Sequence, residues 1–484
     1  MKKLNRNIKT HQTKPPVKIV QFGEGNFLRA FVDYAVHTLN QKCNFNAGVA
    51  VVQPLAGGMV AKLNEQDGLY TLFMKGLYQG EEVQEKELIT SIVRGIDPYT
   101  HFQEYLDLAK EEELEFIISN TTEAGIAFNP NDTPNMQPPA SFPAKLTRLL
   151  LERYNYFQGS PNKGLTIIPC ELINYNADTL KEIILKYIDL WELDHAFKNW
   201  LLNHNTFHNT LVDRIVPGYP KDDIETYRKE LDYEDDLIVS AEKFFLWVIE
   251  GDENLKEKLP FGKTGLNVLV VKNMQPYRTR KVRILNGAHT TMVPFSLLYG
   301  NETVKETIDN GFTGDFVQKA VFNEIIPTLN MDKKELQNFA NDILDRFRNP
   351  FIKHQLSSIA LNSISKFKVR VLPSLKGYIE INKTPPPHLT FALACLIRFY
   401  KGEWNGKLLP VHDDKSIVNK FKDVWTVNSM ETISETILSE TLFWDEDLSN
   451  INGLKQAITM ALKEIEGHGV EKGFENFKAY LQNV

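Results

Sequence analysis

Cysteine is scarce in this sequence, and the cysteines that are present do not form a recognisable set. Cys43, Cys170 and Cys395 lie far apart among 484 residues, with no Cys-x-x-Cys spacing. Secreted disulfide scaffolds and cysteine-based zinc sites need closely spaced or evenly numbered cysteines, so both classes are excluded. We therefore expect reduced thiols in a cytoplasmic protein.

Long hydrophobic runs and a strong excess of one charge are also absent. No run reaches the about 18 apolar residues that a membrane-spanning helix requires, and the basic N-terminus lacks the apolar segment of a signal peptide. The net charge of −7 argues against nucleic acid or an anionic membrane as the main partner. A small-molecule substrate is the expectation, and nothing indicates an obligate protein partner.

The first half of the chain alternates between short apolar runs and stretches with helical periodicity. The run VKIVQF (17–22) is followed by a glycine turn, a helical pattern over 27–40 and a second apolar run, AGVAVVQP (47–54). This is the pattern of a βαβ unit in a parallel sheet. Alternation over 69–97 around a Gly-containing turn predicts inserted antiparallel strands. The run LNVLVV (266–271) is interpreted as a last strand of this half.

After about residue 275 the strand signal fades and amphipathic helical patterns dominate. The sequence therefore predicts three parts: a loose polar lead-in over 1–16, an α/β domain over 17–274 and a mainly α-helical domain over 275–484. A cleft between two such domains is where a substrate is expected to bind.

Gly23-Glu24-Gly25 follows the first predicted strand and opens a helix. Two glycines at this point allow a tight turn and the close approach of a pyrophosphate to free backbone N–H groups, which predicts dinucleotide binding. Leu28 stands where a third glycine is often found. Gln53 stands where an acidic residue would select NAD, so the spacing leaves NAD and NADP open.

Polar residues follow the predicted strand LEFIISN. Asn120, Thr122 and Glu123 lie where the carboxyl end of a parallel strand meets its ligand, so we expect them to line the nicotinamide side of the cofactor site. A simple turn with a helix N-cap is the alternative.

The stretch KVRILNGAHTTMVP (281–294) has polar residues where a packing helix would have apolar ones. In an α-helix, Lys281, Asn286 and His289 fit within an arc of about 140°, and we expect Gly287 and Ala288 to leave room for a substrate beside them. Lys281 is interpreted as the first residue of its helix, where the helix dipole and neighbouring arginines lower its pKa. From spacing alone, a solvated lysine with a buried Asn/His pair remains the alternative.

KVRILNGAH has the form Lys-x4-Asn-x2-His, and FGEGNFLRAF, SNTTEAG, VDRIVP and RFRNPFIKHQL are distributed along nearly the whole chain. Together these segments resemble the mannitol dehydrogenase family of metal-independent polyol and sugar-acid dehydrogenases. The resemblance implies a Rossmann-like NAD-binding domain with inserted antiparallel strands, followed by a mainly α-helical C-terminal domain. It also implies NAD as cofactor and no metal, although His204 and His208 are spaced as helical metal ligands can be.

The family's residue roles are carried over position by position. They assign acid/base catalysis to Lys281, oxyanion donation to Asn286 and Asn176, and support of substrate and lysine to His289. The cofactor motif assigns Gly23, Gly25, Asn26 and Phe27 to the dinucleotide. The family's roles imply substrate contacts for Asp213, Arg214 and Lys366, and Arg348 and His354 lie near the matching positions as further cations expected to meet the substrate.

The resemblance implies a keto-hexuronate as the substrate, with tagaturonate expected and fructuronate as an alternative. Relatives that act on neutral polyols have an arginine eight positions before the residue that matches Lys366, whereas this chain has Ser358. A carboxylate also needs a cation when it is desolvated. A mannitol-type polyol is the alternative substrate, and a non-catalytic NAD-binding regulator is a more distant alternative.

Overall fold

The computed structural model describes residues 2–9, 13–221, 223–351, 353–426 and 429–483. The chain divides into two compact units. The first comprises the residues up to Lys75 together with Val83–Met274, and the second comprises Gly76–Glu82 together with the chain from Gln275 onward. The sequence did not predict that the short segment Gly76–Glu82 belongs with the C-terminal unit.

A parallel sheet forms the centre of the first unit. In chain order the strands are β1 (Val17–Phe22), β2 (Gly48–Val52), β3 (Tyr70–Tyr78), β4 (Glu81–Ile89), β5 (Ile92–Ile96), β6 (Phe116–Ser119), β7 (Thr166–Pro169), β8 (Thr206–Phe207), β9 (Thr210–Asp213), β10 (Val239–Ala241), β11 (Leu246–Glu250) and β12 (Val268–Val271). Six of them form one sheet in the order β5-β2-β1-β6-β7-β8. The central strand β1 pairs in parallel with β2 and β6, so that Val20 lies opposite Ala50 and Ile117.

Helices alternate with these strands along the first unit, and several pack their apolar faces on the central sheet. They are α1 (Arg6–Lys9), α2 (Asn26–Ala30), α3 (Val32–Cys43), α4 (Val60–Glu65), α5 (Phe102–Asp107), α6 (Phe142–Tyr156), α7 (Asn176–Leu190), α8 (His195–His204), α9 (Ile224–Lys229) and α10 (Glu253–Lys258). The single helix predicted over 27–40 is two helices, because Phe31 leaves helical geometry at φ −120°. Its ring stacks on Phe245, with centroids 4.3 Å apart.

Two smaller sheets lie wholly or mostly in the first unit. One has the order β10-β3-β4 and the other the order β12-β11-β9. The strand predicted at 266–271 therefore exists as β12, but it pairs in parallel with β11 rather than extending the central sheet. Within 69–97, only β3 and β4 form the predicted hairpin, since β5 pairs in parallel with β2.

The first residues are not a loose lead-in. Leu4 is fully buried, and Lys3 forms a bridge with Glu234. Arg6 donates hydrogen bonds to the carbonyl oxygens of Thr90 and Ile92, both at 2.9 Å. Residues 2–9 are therefore part of the first unit, and residues 10–12 lie outside the described residues.

The second unit is mainly helical, so the predicted fold class is confirmed. Its α-helices are α11 (Gln275–Arg280), α12 (Gly287–Tyr299), α13 (Val304–Asp309), α14 (Gly311–Lys319), α15 (Lys333–Phe347), α16 (Leu356–Ile359), α17 (Ser363–Arg370), α18 (Leu372–Asn382), α19 (Pro387–Phe399), α20 (Lys415–Val424), α21 (Met430–Leu438), α22 (Thr441–Trp444), α23 (Leu454–His468) and α24 (Val470–Gln482). A short hairpin consists of β13 (Glu403–Trp404) and β14 (Lys407–Leu408). Among the described residues, no helix has the length and apolar character needed to cross a membrane.

Two π-helices interrupt the α-helices of the second unit. They span Lys281–Asn286 and Ala320–Ile325. The first joins α11 to α12 without a break in the chain's helical path, and it carries the lysine and asparagine singled out in the sequence. π-helical turns are rare and are found frequently at functional sites.

Candidate active site

The glycine turn after β1 leaves room for a diphosphate. Gly23 has a φ of +119°, which favours glycine, and a Cβ there would also meet the Asn120 carbonyl oxygen at 2.8 Å. Gly25 is the N-cap of α2, and a Cβ on it would meet nothing within 4 Å. The start of α2 therefore has open space beside its first turn, which fits the pyrophosphate of NAD.

The residues after the turn also stabilise it from within the first unit. Buried Arg29 donates to the Glu24 carbonyl oxygen at 3.2 Å and to Asn26 Oδ1 at 2.6 Å. Phe27 stacks on a neighbouring phenylalanine with ring centroids 5.0 Å apart. Contact of Asn26 and Phe27 with the cofactor stays a prediction. The part played by Arg29 was missed, although the FGEGNFLRAF motif contains it.

Asn120, Thr122 and Glu123 lie at the carboxyl edge of the central sheet, as expected. The Asn120 amide donates to the Cys170 carbonyl oxygen at 2.8 Å, which ties the end of β6 to β7. Thr122 is exposed and has a φ of +79°, an uncommon value for a residue other than glycine. Glu123 is exposed as well. Their role beside the nicotinamide remains a prediction.

Glu171 is a buried carboxylate at this edge that the sequence analysis did not identify. It accepts hydrogen bonds from the Ser119 hydroxyl and from both the N–H and the hydroxyl of Thr121, each at 3.0 Å. Burial raises the pKa of Glu171, and these donors act in the opposite direction. Glu171 thus fixes the loop that follows β6. Its position two residues after the end of β7 was the available signal.

Asn176 does not have the freedom that an oxyanion donor needs. It is fully buried, and its amide N–H groups donate to the carbonyl oxygens of Pro169 at 2.9 Å and Glu171 at 3.1 Å, and to Thr210 Oγ1 at 3.1 Å. Its Oδ1 accepts from the Thr210 N–H at 3.0 Å. These bonds join β7, α7 and β9, and they use both amide hydrogens. The predicted donor role is therefore corrected to a structural one.

We expect Asn176→Ala to lower stability rather than to act selectively on catalysis. The change removes the acceptor of the buried Thr210 N–H, and an unsatisfied buried group costs about 1–3 kcal/mol. Urea denaturation followed by tryptophan fluorescence should show a loss of about 2–4 kcal/mol, with kcat of the folded enzyme within about threefold of the starting value. Asn174→Ala, at a nearby exposed position, is the control. A kcat loss of about 100-fold with an unchanged denaturation curve would restore the oxyanion role.

Asp213 ends β9 and Arg214 follows it, and both are buried. The Arg214 guanidinium donates to the carbonyl oxygen of Ala30 and, at 2.8 and 3.0 Å, to that of Glu242. It also lies over the Tyr34 ring, 5.0 Å from the centroid, and burial lowers the pKa of Arg214 to about 10. Because its donors serve the backbone of the first unit, its predicted substrate contact is corrected. The role of Asp213 stays a prediction.

In the second unit, the helix that carries Lys281 differs from the expected regular α-helix. Residues Lys281–Asn286 form a π-helix, in which hydrogen bonds run from residue i to i+5. Asn286 therefore lies one turn beyond Lys281 on the same face, whereas α-helical geometry would separate them by about 140°. His289 follows in α12, about 60° back from Asn286 around the helix. All three side chains are half-buried, while Ile284 and Leu285 between them are buried.

Lys281 is not the first residue of its helix. Helix α11 begins at Gln275 and runs directly into the π-helix, so the predicted effect of a helix N-terminus on the pKa of Lys281 does not apply. The flanking arginines have other partners. Arg280 donates to Glu335 at 2.6 Å, and Arg283 donates to Ser374 Oγ at 2.6 Å. These contacts anchor the segment on both sides of Lys281.

Gly287 serves helix packing rather than substrate access. It is buried, and a Cβ there would meet the Arg370 carbonyl oxygen at 3.3 Å and Ile325 Cδ1 at 3.7 Å. Ile325 ends the second π-helix, so a glycine lets the two π-helical segments and α17 approach closely. The expectation that Gly287 and Ala288 leave room for a substrate is therefore wrong.

The Asn286 amide is available as a donor in a way that Asn176 is not. It is half-buried, and within the described part of the chain it has no hydrogen-bond partner. His289 lies against Phe347, with ring centroids 4.4 Å apart, and against His354, 5.1 Å away in an edge-on arrangement. Burial lowers the pKa of His354, which favours its neutral form. The structure thus brings together His289 and His354 from two separate motifs.

The other predicted substrate residues of the second unit differ in their contacts. Arg348 follows Phe347, is half-exposed, and has no side-chain partner among the described residues. Lys366 donates to the Ile359 carbonyl oxygen at 2.9 Å, and burial together with nearby Arg370 lowers the pKa of Lys366. Ser358 is exposed. Arg348 is therefore the cation with the most freedom to meet an anionic group.

A metal site is not apparent in the parts of the chain that the structure describes. No three or more His, Cys, Asp or Glu side chains converge there as metal ligands would. His208, one of the two spaced histidines, has its Nδ1 2.8 Å from the Glu250 carbonyl oxygen and its Nε2 3.0 Å from Thr206 Oγ1. Metal independence itself remains a prediction.

Comparison with known proteins places both units in one family. The family model described as the mannitol dehydrogenase Rossmann domain matches residues 17–262, and the mannitol dehydrogenase C-terminal domain matches residues 273–466. The chain is 46% identical over 479 residues to an altronate oxidoreductase of Bacillus subtilis (strain 168), covering 99% of this chain and 98% of that protein. It is 46% identical to an altronate oxidoreductase of Yersinia enterocolitica, covering 94% and 95%.

Solved structures share the fold at lower identity. A D-sorbitol dehydrogenase in substrate-free form has a TM-score of 0.80 at 20% identity, covering 98% of this chain and 100% of that one. The ternary complex of Pseudomonas fluorescens mannitol 2-dehydrogenase with NAD and D-mannitol has a TM-score of 0.66 at 19% identity, covering 99% and 100%. The two family models together span most of the sequence, and the chain belongs to the mannitol dehydrogenase family.

Proposed function

We propose that this protein is an NAD-dependent oxidoreductase that interconverts D-tagaturonate and D-altronate. The observation that carries the proposal is the likeness over nearly the full length, at 46% identity, to proteins named altronate oxidoreductase. The geometry of the two units supports the same reaction class. The first has a turn suited to a dinucleotide, and the second presents a lysine, a free amide and a histidine on one helix surface.

Reduction of a ketone needs a hydride on carbon and a proton on oxygen. The bound dinucleotide supplies the hydride. Lys281 Nζ holds the proton and delivers it to the carbonyl oxygen, while the Asn286 amide donates a hydrogen bond to that oxygen as it gains negative charge. His289, held between Phe347 and His354, orients the substrate. In the reverse direction Lys281 accepts the proton of the hydroxyl.

The carboxylate of a uronate must be paired when it leaves water. Arg348 offers a guanidinium without a partner among the described residues, and its planar fork matches a carboxylate in a two-point contact. We assign the carboxylate to Arg348, with His354 and Lys366 as neighbours in the substrate site. The proposal further places the enzyme in the cytoplasm, where its three unpaired cysteines remain reduced, without an obligate protein partner.

Steady-state kinetics with NADH test the function directly. We expect turnover of tagaturonate, with kcat/KM for fructuronate at least about tenfold lower because its hydroxyls are arranged differently. Activity should survive exhaustive chelation unchanged. Loss of activity on chelation that zinc restores would contradict the metal-free mechanism. Higher efficiency on fructuronate would reassign the substrate, and NADH binding without turnover of any keto-sugar would favour a regulator.

A further inference from the structure

Gln53 occupies the position at the end of β2 where an acidic residue would bind the adenosine ribose of NAD. Its amide is already engaged, since Nε2 donates to the carbonyl oxygens of Leu55 at 2.8 Å and Ala56 at 3.3 Å. The side chain is only 4% exposed. Gln53 thus shapes the loop after β2, and its amide nitrogen is not free for a ribose hydroxyl.

A carboxylate from the turn after β1 reaches the same place. A Cβ built on Gly58, in the loop after β2, would overlap both the Glu24 carboxylate and the Gln53 amide, so these two side chains meet at that glycine. The adjacency follows from the sheet, because β1 and β2 are neighbours and the Gly23 N–H donates to the Val52 carbonyl oxygen at 3.0 Å. Glu24 belongs to the glycine turn itself and yet lies at the end of β2.

The charges around this point are mainly negative. Burial raises the pKa of Glu24, with Asp97 also acting to raise it and the Met59 backbone amide acting to lower it. Arg29 is nearby, but it is buried and donates to the Glu24 carbonyl oxygen rather than to the carboxylate. Residues 53–65 contain one cation, Lys62, which is exposed. A dianionic phosphate at this point would face Glu24 and Asp97.

We propose that Glu24 binds the hydroxyls of the adenosine ribose and repels a 2′-phosphate, so that it sets the preference for NAD over NADP in place of the acidic residue missing from β2. Ribose hydroxyls donate hydrogen bonds to a carboxylate, whereas a phosphate brings like charge into a partly desolvated site. The inference rests on the proposed function only in that the chain uses a nicotinamide dinucleotide. It does not depend on which sugar acid is the substrate.

Cofactor binding measured without substrate tests the proposal. Dissociation constants for NADH and NADPH are determined by calorimetry for the unchanged protein, Glu24→Gln and the control Glu65→Gln, which removes an exposed carboxylate from α4. We expect NADH to bind the unchanged protein more tightly than NADPH. Glu24→Gln should reduce that ratio by at least about tenfold, whereas Glu65→Gln should leave it unchanged. Glu24→Asp, which keeps the charge, should retain the preference for NADH.

A second ligand separates ribose recognition from a general effect on the turn. NADH that lacks the adenosine 2′-hydroxyl should bind the unchanged protein at least about tenfold more weakly than NADH, and Glu24→Gln should bind the two equally. If Glu24→Gln weakened the binding of NADH and NADPH equally, the ratio of their dissociation constants would stay unchanged. That result would show a purely structural role for Glu24 and would overturn the proposal. If neither dinucleotide bound the unchanged protein, the proposed function would fail with it, whereas failure to turn over tagaturonate would reject only the substrate.

Discussion

Replacing Lys281 by alanine is expected to lower kcat for tagaturonate by at least about 10³-fold, since acid–base catalysis alone contributes about 10²–10⁴ and the ketone oxygen also loses a donor. Lys281 lies on the face that the π-helix shares with Asn286, and within the second unit no other lysine stands in the Lys-x4-Asn-x2-His pattern. Binding of NADH, measured by fluorescence titration, should stay within about threefold, because the glycine turn that fits the dinucleotide is in the other unit.

The matched control for this change is Lys333→Ala, an exposed lysine at the start of α15. It should keep full turnover and the same thermal stability. Small primary amines added to Lys281→Ala should restore part of the rate, because they supply the missing proton donor to the space left by the side chain. Near-normal turnover of Lys281→Ala at neutral pH would assign the acid/base role to another group.

We expect kcat/KM for tagaturonate to be at least about 10³-fold higher than kcat/KM for D-tagatose, the neutral ketose of the same configuration. A site built around a charge penalises a ligand that leaves that charge unpaired, and such discrimination reaches about 10⁴–10⁵ for hydrogen-bonding groups. Arg348→Gln should remove most of the difference by raising KM for tagaturonate about 100-fold while leaving tagatose nearly unaffected. Steady-state kinetics on both substrates measure the effect.

Lys319→Gln serves as the control for Arg348→Gln, because Lys319 is paired with Asp315 on the exposed side of α14. It should change neither substrate's kinetics. Comparable rates on tagaturonate and tagatose in the unchanged enzyme would reject the uronate substrate. A large discrimination that survives Arg348→Gln would place the carboxylate elsewhere, with Lys366 and Arg370 on α17 as the next cations to replace.

The central sheet could be predicted from the sequence because its strands are short, continuous apolar runs. VKIVQF corresponds to β1 without any shift of its ends, and the runs around β2, β6 and β7 were placed within a few residues. The smaller sheets were harder, since β9, β10 and β11 are three to five residues long and take their partners from distant parts of the chain. Tertiary packing, rather than the composition of β12, determines the strand with which β12 pairs.

The candidate site was predictable in its residue types but less so in its contacts. The spacing of Lys281, Asn286 and His289 identified one surface, but a 3.6-residue period cannot show that the helix switches to i→i+5 hydrogen bonds between them. Asn176 and Arg214 matched family positions, and their burial among backbone groups became visible only in three dimensions. The ring contact between His289 and His354 involves residues that are 65 positions apart in the sequence. No local sequence pattern predicts such a contact.

The π-helix also determines how this segment of the chain can change in length. A turn closed by i→i+5 hydrogen bonds holds one more residue than an α-helical turn, so deletion of a single residue between Lys281 and Asn286 would allow an ordinary α-helix to form. The lysine and the asparagine would then stand four positions apart, and an α-helix places such residues about 40° apart, still on one face. If the segment instead became α-helical at its present length, Lys281 would lie about 140° from Asn286 and would leave the face that carries it. The number of residues between the lysine and the asparagine and the hydrogen-bond pattern of the helix therefore have to change together, if natural variation or engineering is to keep both side chains on one surface.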